Sequence, residues 1–280
     1  MGIKIGVLGN CDTGAITTSL RQLVLEASVT PLALKGAGLS DYLDANLPDF
    51  DLIFVNSSTY VASGGQDVDP RVIVYPQITF RPFHPDCCYV WLSNNSIIEN
   101  YNSAICVGCF VRGLSVEQTV ACFNKEVYDY LGYFSRWDDG VKKLKHDFEL
   151  YNVDFVKFFL KAKRSGVFMH SINHPTKDAF TALSALLAMK TGASEDALDR
   201  PVFFPDPLAN FGWPVYPEIG EIFSAPGAYV WLYNGKYLGL HDFISAEFER
   251  YKSKGLTREG VRFADACFQD KLDALLGIPR

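Results

Sequence analysis

The chain has 280 residues, 48% of them hydrophobic and 14% aromatic, with a formal net charge of -6 and an isoelectric point near 5.4. That length and composition suit a folded protein with a large core, either one big α/β domain or one with a helical addition. An acidic balance argues against nucleic acid as the main partner, because phosphate backbones are bound by basic surfaces, and no apolar run is long enough to span a bilayer. The N-terminus enters a strand directly, without a basic segment and apolar stretch before it, so no signal peptide is visible and the expected compartment is the cytoplasm.

The first stretch, Lys4 to Ser19, reads KIGVLGNCDTGAITTS. Lys4 to Leu8 has the apolar, β-branched texture of a buried parallel strand, and Gly9 breaks it. A helix follows, with Asp12 or Thr13 as its cap, Gly14 and Ala15 keeping the first turn slim, and Ile16, Leu20, Leu23 and Val24 as its apolar stripe. Cys11 is therefore placed on a strand-to-helix turn. Such a turn presents a side chain at the carboxyl ends of the strands, with backbone N–H groups and a positive helix end beside it. This predicts a thiol pKa below the ordinary value and a nucleophile, or a thiol lying against a reacting acyl group, with Gly9, Asn10, Thr13 and Gly14 as ligand-facing neighbours. An inert, half-buried thiol in a tight connection is the alternative. The turn is neither a dinucleotide-binding Gly-x-Gly-x-x-Gly pattern nor a phosphate-binding Walker loop.

Thr30 to Leu34 reads as a second strand, with Gly36 and Gly38 as breakers and a short helix over Leu39 to Asn46. Asp51 to Val55 is a further buried strand that ends in the polar cluster Asn56, Ser57, Ser58 and Thr59, where open α/β sheets place ligands. Val72 to Phe80 reads as another strand, bent or at an edge because of Pro76. Strands alternating with helical segments predict an α/β fold with a parallel layered sheet in the N-terminal part.

Phe80 to Tyr89, FRPFHPDCCY, places His84 and Asp86 on either side of Pro85, which holds them in extended or turn backbone. An imidazole fixed near a carboxylate suits acid/base chemistry; a turn-capping histidine and a carboxylate satisfying local N–H groups are the other reading. From Leu114 the texture becomes helical over Val116 to Leu131, Trp137 to Phe148 and Val153 to Lys163. The fold class is thus α/β with a largely helical middle and C-terminal part, divided as an α/β core over 1–113, a helical insert over 114–165 and a return to the core over 166–280. Arg136, Lys143 and their basic neighbours form a local charge reversal that suits a phosphorylated ligand such as a nucleotide or coenzyme A, or else the solvated faces of amphipathic helices.

Gly166 to Met169 reads as a short strand running to His174, next to Pro175, with Thr176 capping a helix over Lys177 to Lys190 that stops at Gly192. His174 is a candidate general base to pair with Cys11, or a structural histidine bonded to a carbonyl. The proline- and aromatic-rich stretch from Arg200 to Pro226 reads as an ordered wrapping loop in which Phe211, Trp213 and Tyr216 pack or line a cleft. A hairpin is predicted around Asn234 and Gly235, and helices over His241 to Lys252 and Thr257 to Leu276. The seven cysteines mostly sit in apolar runs, as reduced buried thiols do, and the lone Cys106-x-x-Cys109 lacks the partners of a zinc site, so no metal is expected.

Four segments in order, VLGNC (Val7 to Cys11), FHPD (Phe83 to Asp86), INHP (Ile172 to Pro175) and GWPVYPE (Gly212 to Glu218), make the whole chain similar to the WcbI family of capsular polysaccharide biosynthesis proteins. The resemblance implies coenzyme A binding and O-acetyl transfer from acetyl-coenzyme A to a sugar or polysaccharide acceptor, with Cys11, His84, His174 and Asp86 as candidate catalytic residues. It also implies partners in capsule assembly. The first turn is similar as well to the Gly-Asp-Ser block of SGNH-type esterases, but Asn10 and Cys11 stand where those enzymes carry Asp-Ser and no Asp-x-x-His block follows. A carbohydrate esterase and a non-catalytic binder of coenzyme A or glycan are the rival readings.

Overall fold

The structure is a computed structural model describing residues 2–34, 38–65, 69–92, 97–98, 101–233, 235–263, 270–271 and 274. In chain order it contains β1 (Lys4–Leu8), α1 (Thr13–Leu23), β2 (Ser28–Leu32), α2 (Leu39–Asn46), β3 (Leu52–Asn56), α3 (Ser57–Ala62), β4 (Val72–Tyr75), β5 (Cys87–Cys88), β6 (Val90–Leu92) and β7 (Asn102–Ser103). There follow α4 (Ala104–Phe110), α5 (Val116–Val120), α6 (Lys125–Leu131), α7 (Trp137–Leu150), α8 (Phe155–Arg164), α9 (Lys177–Lys190), α10 (Pro217–Phe223), β8 (Val230–Tyr233), β9 (Lys236–Gly239), α11 (Leu240–Ser253) and β10 (Val261–Phe263). Two compact units share the chain: Met1–Thr79, Lys142–Phe168 and His174–Ala209 form the first, and Phe80–Val141, Met169–Asn173 and Asn210–Arg280 the second.

The first unit is built on a four-stranded sheet of order β2-β1-β3-β4, parallel throughout. β1 and β3 are central and bury almost every residue, which is why they read as unbroken apolar runs rather than alternating ones. β2 is an edge strand and tolerates Pro31 for that reason. Ile53 and Val55 of β3, with Leu8, join Leu39 and Leu43 of α2 in one apolar cluster. α1 lies against β1 and β2 and packs on α9, which packs in turn on α8. Ala179, Ala182, Ala185 and Ala188 of α9 are all buried, so small side chains let its neighbours come close. Phe148, Phe158 and Phe168 complete this core from α7, α8 and the segment that follows α8.

The second unit holds the short pairs β5-β7, β6-β10 and β8-β9, all antiparallel, with α4, α5 and α11 packed together. Its aromatic core is dense: Trp231 stacks on Phe243 at 4.0 Å and 3°, and Trp213 meets Phe243 edge-on at 5.5 Å. The proline-rich stretch is ordered as expected, with Trp213 and Tyr216 buried and one short helix, α10, starting at Pro217.

Several sequence expectations need correction. The helix expected over Val116 to Leu131 is two helices, because Asn124 takes an extended backbone and its side chain accepts from Val127 N–H to start α6 afresh. Val72 to Phe80 is a strand only to Tyr75, and 166–169 forms no strand of the sheet. Val261–Phe263, expected to be helical, pairs with β6 as a strand; half of that expected helix lies outside the described residues, as do Gly36 and Asn234. Neither Asp12 nor Thr13 gives α1 a side-chain cap. The helices at Leu39–Asn46 and Lys177–Lys190 and the hairpin of β8 and β9 stand where the sequence puts them.

Ile53 is fully buried at the centre of the sheet. Ile53→Ala is expected to cost about 2–5 kcal/mol, seen as a lower urea midpoint at an unchanged slope.

Candidate functional site

The turn after β1 is organised by Asp12, which is 8% exposed. One carboxylate oxygen, Oδ1, accepts the backbone N–H of Asn10 at 2.9 Å. The other, Oδ2, accepts from Asn56 Nδ2 at 2.7 Å and from the Tyr75 hydroxyl at 2.8 Å. Asn56 ends β3 and Tyr75 ends β4, so one carboxylate ties together the carboxyl ends of three strands. Bonds to an ionised acceptor are worth about 1.5–3 kcal/mol each, and a buried charge keeps its ionised form only when it is so partnered.

The network continues outward. Asn10 Nδ2 donates to Ser58 Oγ at 2.8 Å, and that hydroxyl donates to Asn56 Oδ1 at 2.6 Å. Ser57 Oγ accepts Gln77 N–H at 2.9 Å. Burial, and then the Asp12 charge, hold the Tyr75 phenol well above its ordinary pKa, so it stays a neutral donor. Gly9 is required by crowding: a Cβ there would lie 2.6 Å from Asp12 Oδ1 and 2.7 Å from the Tyr75 oxygen. A Cβ on Gly14 would meet nothing, so that glycine is not sterically needed.

Cys11 is exposed at this turn. Its pKa is raised, not lowered: partial withdrawal of the sulfur from water acts first, the neighbouring Asp12 charge second, and a backbone hydrogen bond opposes them only in part. A helix end favours the thiolate, as the sequence suggests, but withdrawal from water and then the carboxylate one residue away outweigh it. Of the backbone N–H groups of the turn, Asn10's is committed to Asp12 and Thr13's points to the Asn10 carbonyl at 3.3 Å. Beside the turn lies an open groove of about 790 Å³, lined by Gly9, Asn10, Thr13, Leu32, Leu34 and Thr59 among others.

His174 also belongs to the first unit, half-buried just before α9. Lys143 forms an i,i+4 ion pair with Asp147 on an exposed helix face, a pair of small energetic weight.

His84, Asp86 and Arg136 lie in the second unit. His84 is 1% exposed, with Nδ1 3.2 Å from the Pro214 carbonyl and Nε2 3.2 Å from the Met169 carbonyl. Burial pushes its pKa down to about 4, against the pull of those two carbonyls. Asp86 is fully buried and accepts from Ile105 N–H, the Tyr133 hydroxyl and the Tyr216 hydroxyl at 3.0, 2.8 and 2.6 Å. Burial raises its pKa although these donors oppose the rise. Arg136 sits over the Tyr133 ring at 5.8 Å. In both residues every polar contact described is to the fold, the arrangement of a polar core and not of groups open to a reactant.

The FHPD and GWPVYPE segments meet in this knot, through His84 with Pro214 and Asp86 with Tyr216. Phe80 N–H donates to the Ile172 carbonyl at 2.9 Å, Trp213 N–H to the His170 carbonyl at 2.7 Å, and Asn173 bridges the hydroxyls of Tyr101 and Tyr89 at 2.6 and 2.9 Å. Sequence reasoning missed Asn56 and Tyr75 as partners of Asp12; the polar cluster at the end of β3 was the available signal. Cys106 and Cys109 are buried on α4. Among the described residues no group of three or more His, Cys, Asp or Glu side chains fits a metal ion, and no helix is long and apolar enough to cross a membrane.

Residues 4–196 match the family described as polysaccharide biosynthesis enzyme WcbI. The chain belongs to the WcbI family. A solved structure described as WcbI, a novel polysaccharide biosynthesis enzyme, matches over 98% of this chain and 95% of its own, with a TM-score of 0.70 and 15% identity. That protein is described as native and without a disulfide bond between coenzyme A and one of its cysteines. At that identity the likeness establishes a shared fold. No curated protein sequence matches the chain. Family membership makes it a polysaccharide biosynthesis enzyme, and the VLGNC, FHPD and INHP segments fall inside the matched span.

Two predictions follow from these geometries. Gly9→Ala forces Asp12 and Tyr75 apart and is expected to destabilise the chain by about 1–3 kcal/mol in chemical denaturation. His84 titrates lower in the folded chain than unfolded, so the stability it contributes is complete above about pH 6.5 and is lost as pH falls through about 4. Asp86, raised on folding, acts with the opposite sign. The difference in unfolding free energy between wild type and His84→Gln should therefore shrink by on the order of 3 kcal/mol between neutral pH and pH 4.

Proposed function

We propose that this chain is a coenzyme A-binding O-acetyltransferase that acetylates a sugar of a bacterial capsular polysaccharide. The observation that carries the reading is an exposed thiol held on the first strand-to-helix turn, at the carboxyl ends of the strands and next to an open groove. Membership in a polysaccharide biosynthesis family supports the acceptor class, and the description of the solved relative names coenzyme A together with a cysteine, with no disulfide between them.

The raised pKa of Cys11 favours direct transfer over an acetyl-enzyme, because the thiolate is the nucleophilic form. In direct transfer the sugar oxygen attacks the thioester carbonyl, the new C–O bond forms, the C–S bond breaks and coenzyme A leaves as a thiolate. His174, in the same unit as Cys11, would take the hydroxyl proton and return it to the departing sulfur. His84, enclosed between two carbonyls, is the weaker candidate for that role.

Coenzyme A is expected to raise the melting temperature while nucleotides lacking the pantetheine arm do not. With acetyl-coenzyme A and a panel of sugar acceptors, His174→Ala should lose about 100-fold or more in turnover, the scale of general-base catalysis. Cys11→Ser should keep turnover within about tenfold, and intact-mass spectrometry should find no acetyl adduct on the wild-type protein. Stabilisation by coenzyme A with no turnover on any acceptor would instead mark a binding protein, and acetate release from an acetylated sugar without coenzyme A an esterase.

A further inference from the structure

Asp12 takes no part in the transfer just described, yet it is the most constrained group near Cys11. Its two oxygens accept from three donors that belong to three different strand ends. The bond to Asn10 N–H fixes the backbone on one side of Cys11, and Asp12 itself is the residue on the other side. We infer that Asp12 is the positioning residue of the Cys11 turn: it fixes the backbone on both sides of Cys11 and sets a carboxylate beside the sulfur.

Withdrawal from water is the larger influence on Cys11; among the described residues, the ionisable groups that interact with it are Asp12, from its own turn, and Tyr75, from the end of β4. Tyr75 is neutral, so the charge in the turn is that of the carboxylate. The hydroxyl of Tyr75 and the amide of Asn56 draw part of that charge away from the sulfur, and Gly9 leaves room for both to reach it. A thiol kept neutral does not compete with a sugar hydroxyl for the thioester, and it resists oxidation more than a thiolate would. The inference rests on the reading of Cys11 as an open thiol at the reaction site, but its test does not depend on acetyl transfer.

The test is the pH profile of Cys11 alkylation by iodoacetamide, followed by peptide mass spectrometry on the full chain, with the half-exposed Cys122 as an internal reference in each digest. Asp12→Asn keeps an oxygen for Asn10 N–H and removes the charge. Its Cys11 profile should move to lower pH, giving roughly two- to fivefold faster alkylation near neutral pH, while Cys122 is unchanged. Tyr75→Phe leaves the charge and removes a donor, so its profile should stay or move to higher pH. A change in the plateau rate with no displacement, the mark of a merely structural role, overturns the inference, as does an Asp12→Asn profile that coincides with wild type. Should Asp12→Asn not fold, a Tyr75→Phe profile displaced to lower pH overturns it. Cys11 unreactive at every pH in all three proteins overturns this inference and the open-thiol reading together. The expected profiles with no acetyl transfer would count against the proposed function alone.

Discussion

A buried carboxylate bonded to three donors is the constraint on which the first unit depends. The carboxyl end of a parallel sheet is where backbone and side-chain polar groups crowd together, and each needs a partner once water is displaced. Asp12 answers that need for β1, β3 and β4 at once, through Asn10, Asn56 and Tyr75. The apolar strands bring these polar ends to one place; the carboxylate then sets their exact spacing. The exposed sulfur sits on the turn that this arrangement holds.

The second unit solves the same problem differently. There the FHPD segment supplies a buried imidazole and a buried carboxylate, and the Pro214 and Met169 carbonyls and the Tyr216 and Tyr133 hydroxyls surround them. His84 and Asp86 thus contribute polar groups to the interior of an aromatic-rich unit. His84 remains neutral because charging it would leave an ion in an enclosure of ring faces and carbonyls. The cost of burying Asp86 is offset by its hydrogen bonds, and the tyrosines that donate them are thereby held in register.

Much of the fold was legible in the sequence because β1 and β3 announce themselves as unbroken apolar runs and α9 as a capped, alanine-rich helix. What was not legible follows from interactions far apart in the chain. The break at Asn124 and the pairing of Val261–Phe263 with β6 are tertiary choices that local propensity does not encode. The state of Cys11 was misjudged because a helix end was weighed without the partial burial of the sulfur and the carboxylate beside it, and that carboxylate is bonded to Tyr75, more than sixty residues away. The turn itself, and the residue types at it, were visible from the outset.

Gly9, Asn10, Asp12, Asn56 and Tyr75 behave as one heritable unit although the chain scatters them. A change at any of them leaves a donor, an acceptor or a volume unmatched at the others. Among relatives that keep the turn, these positions should therefore drift together or not at all, whereas Gly14, with open space around it, is left to vary by itself.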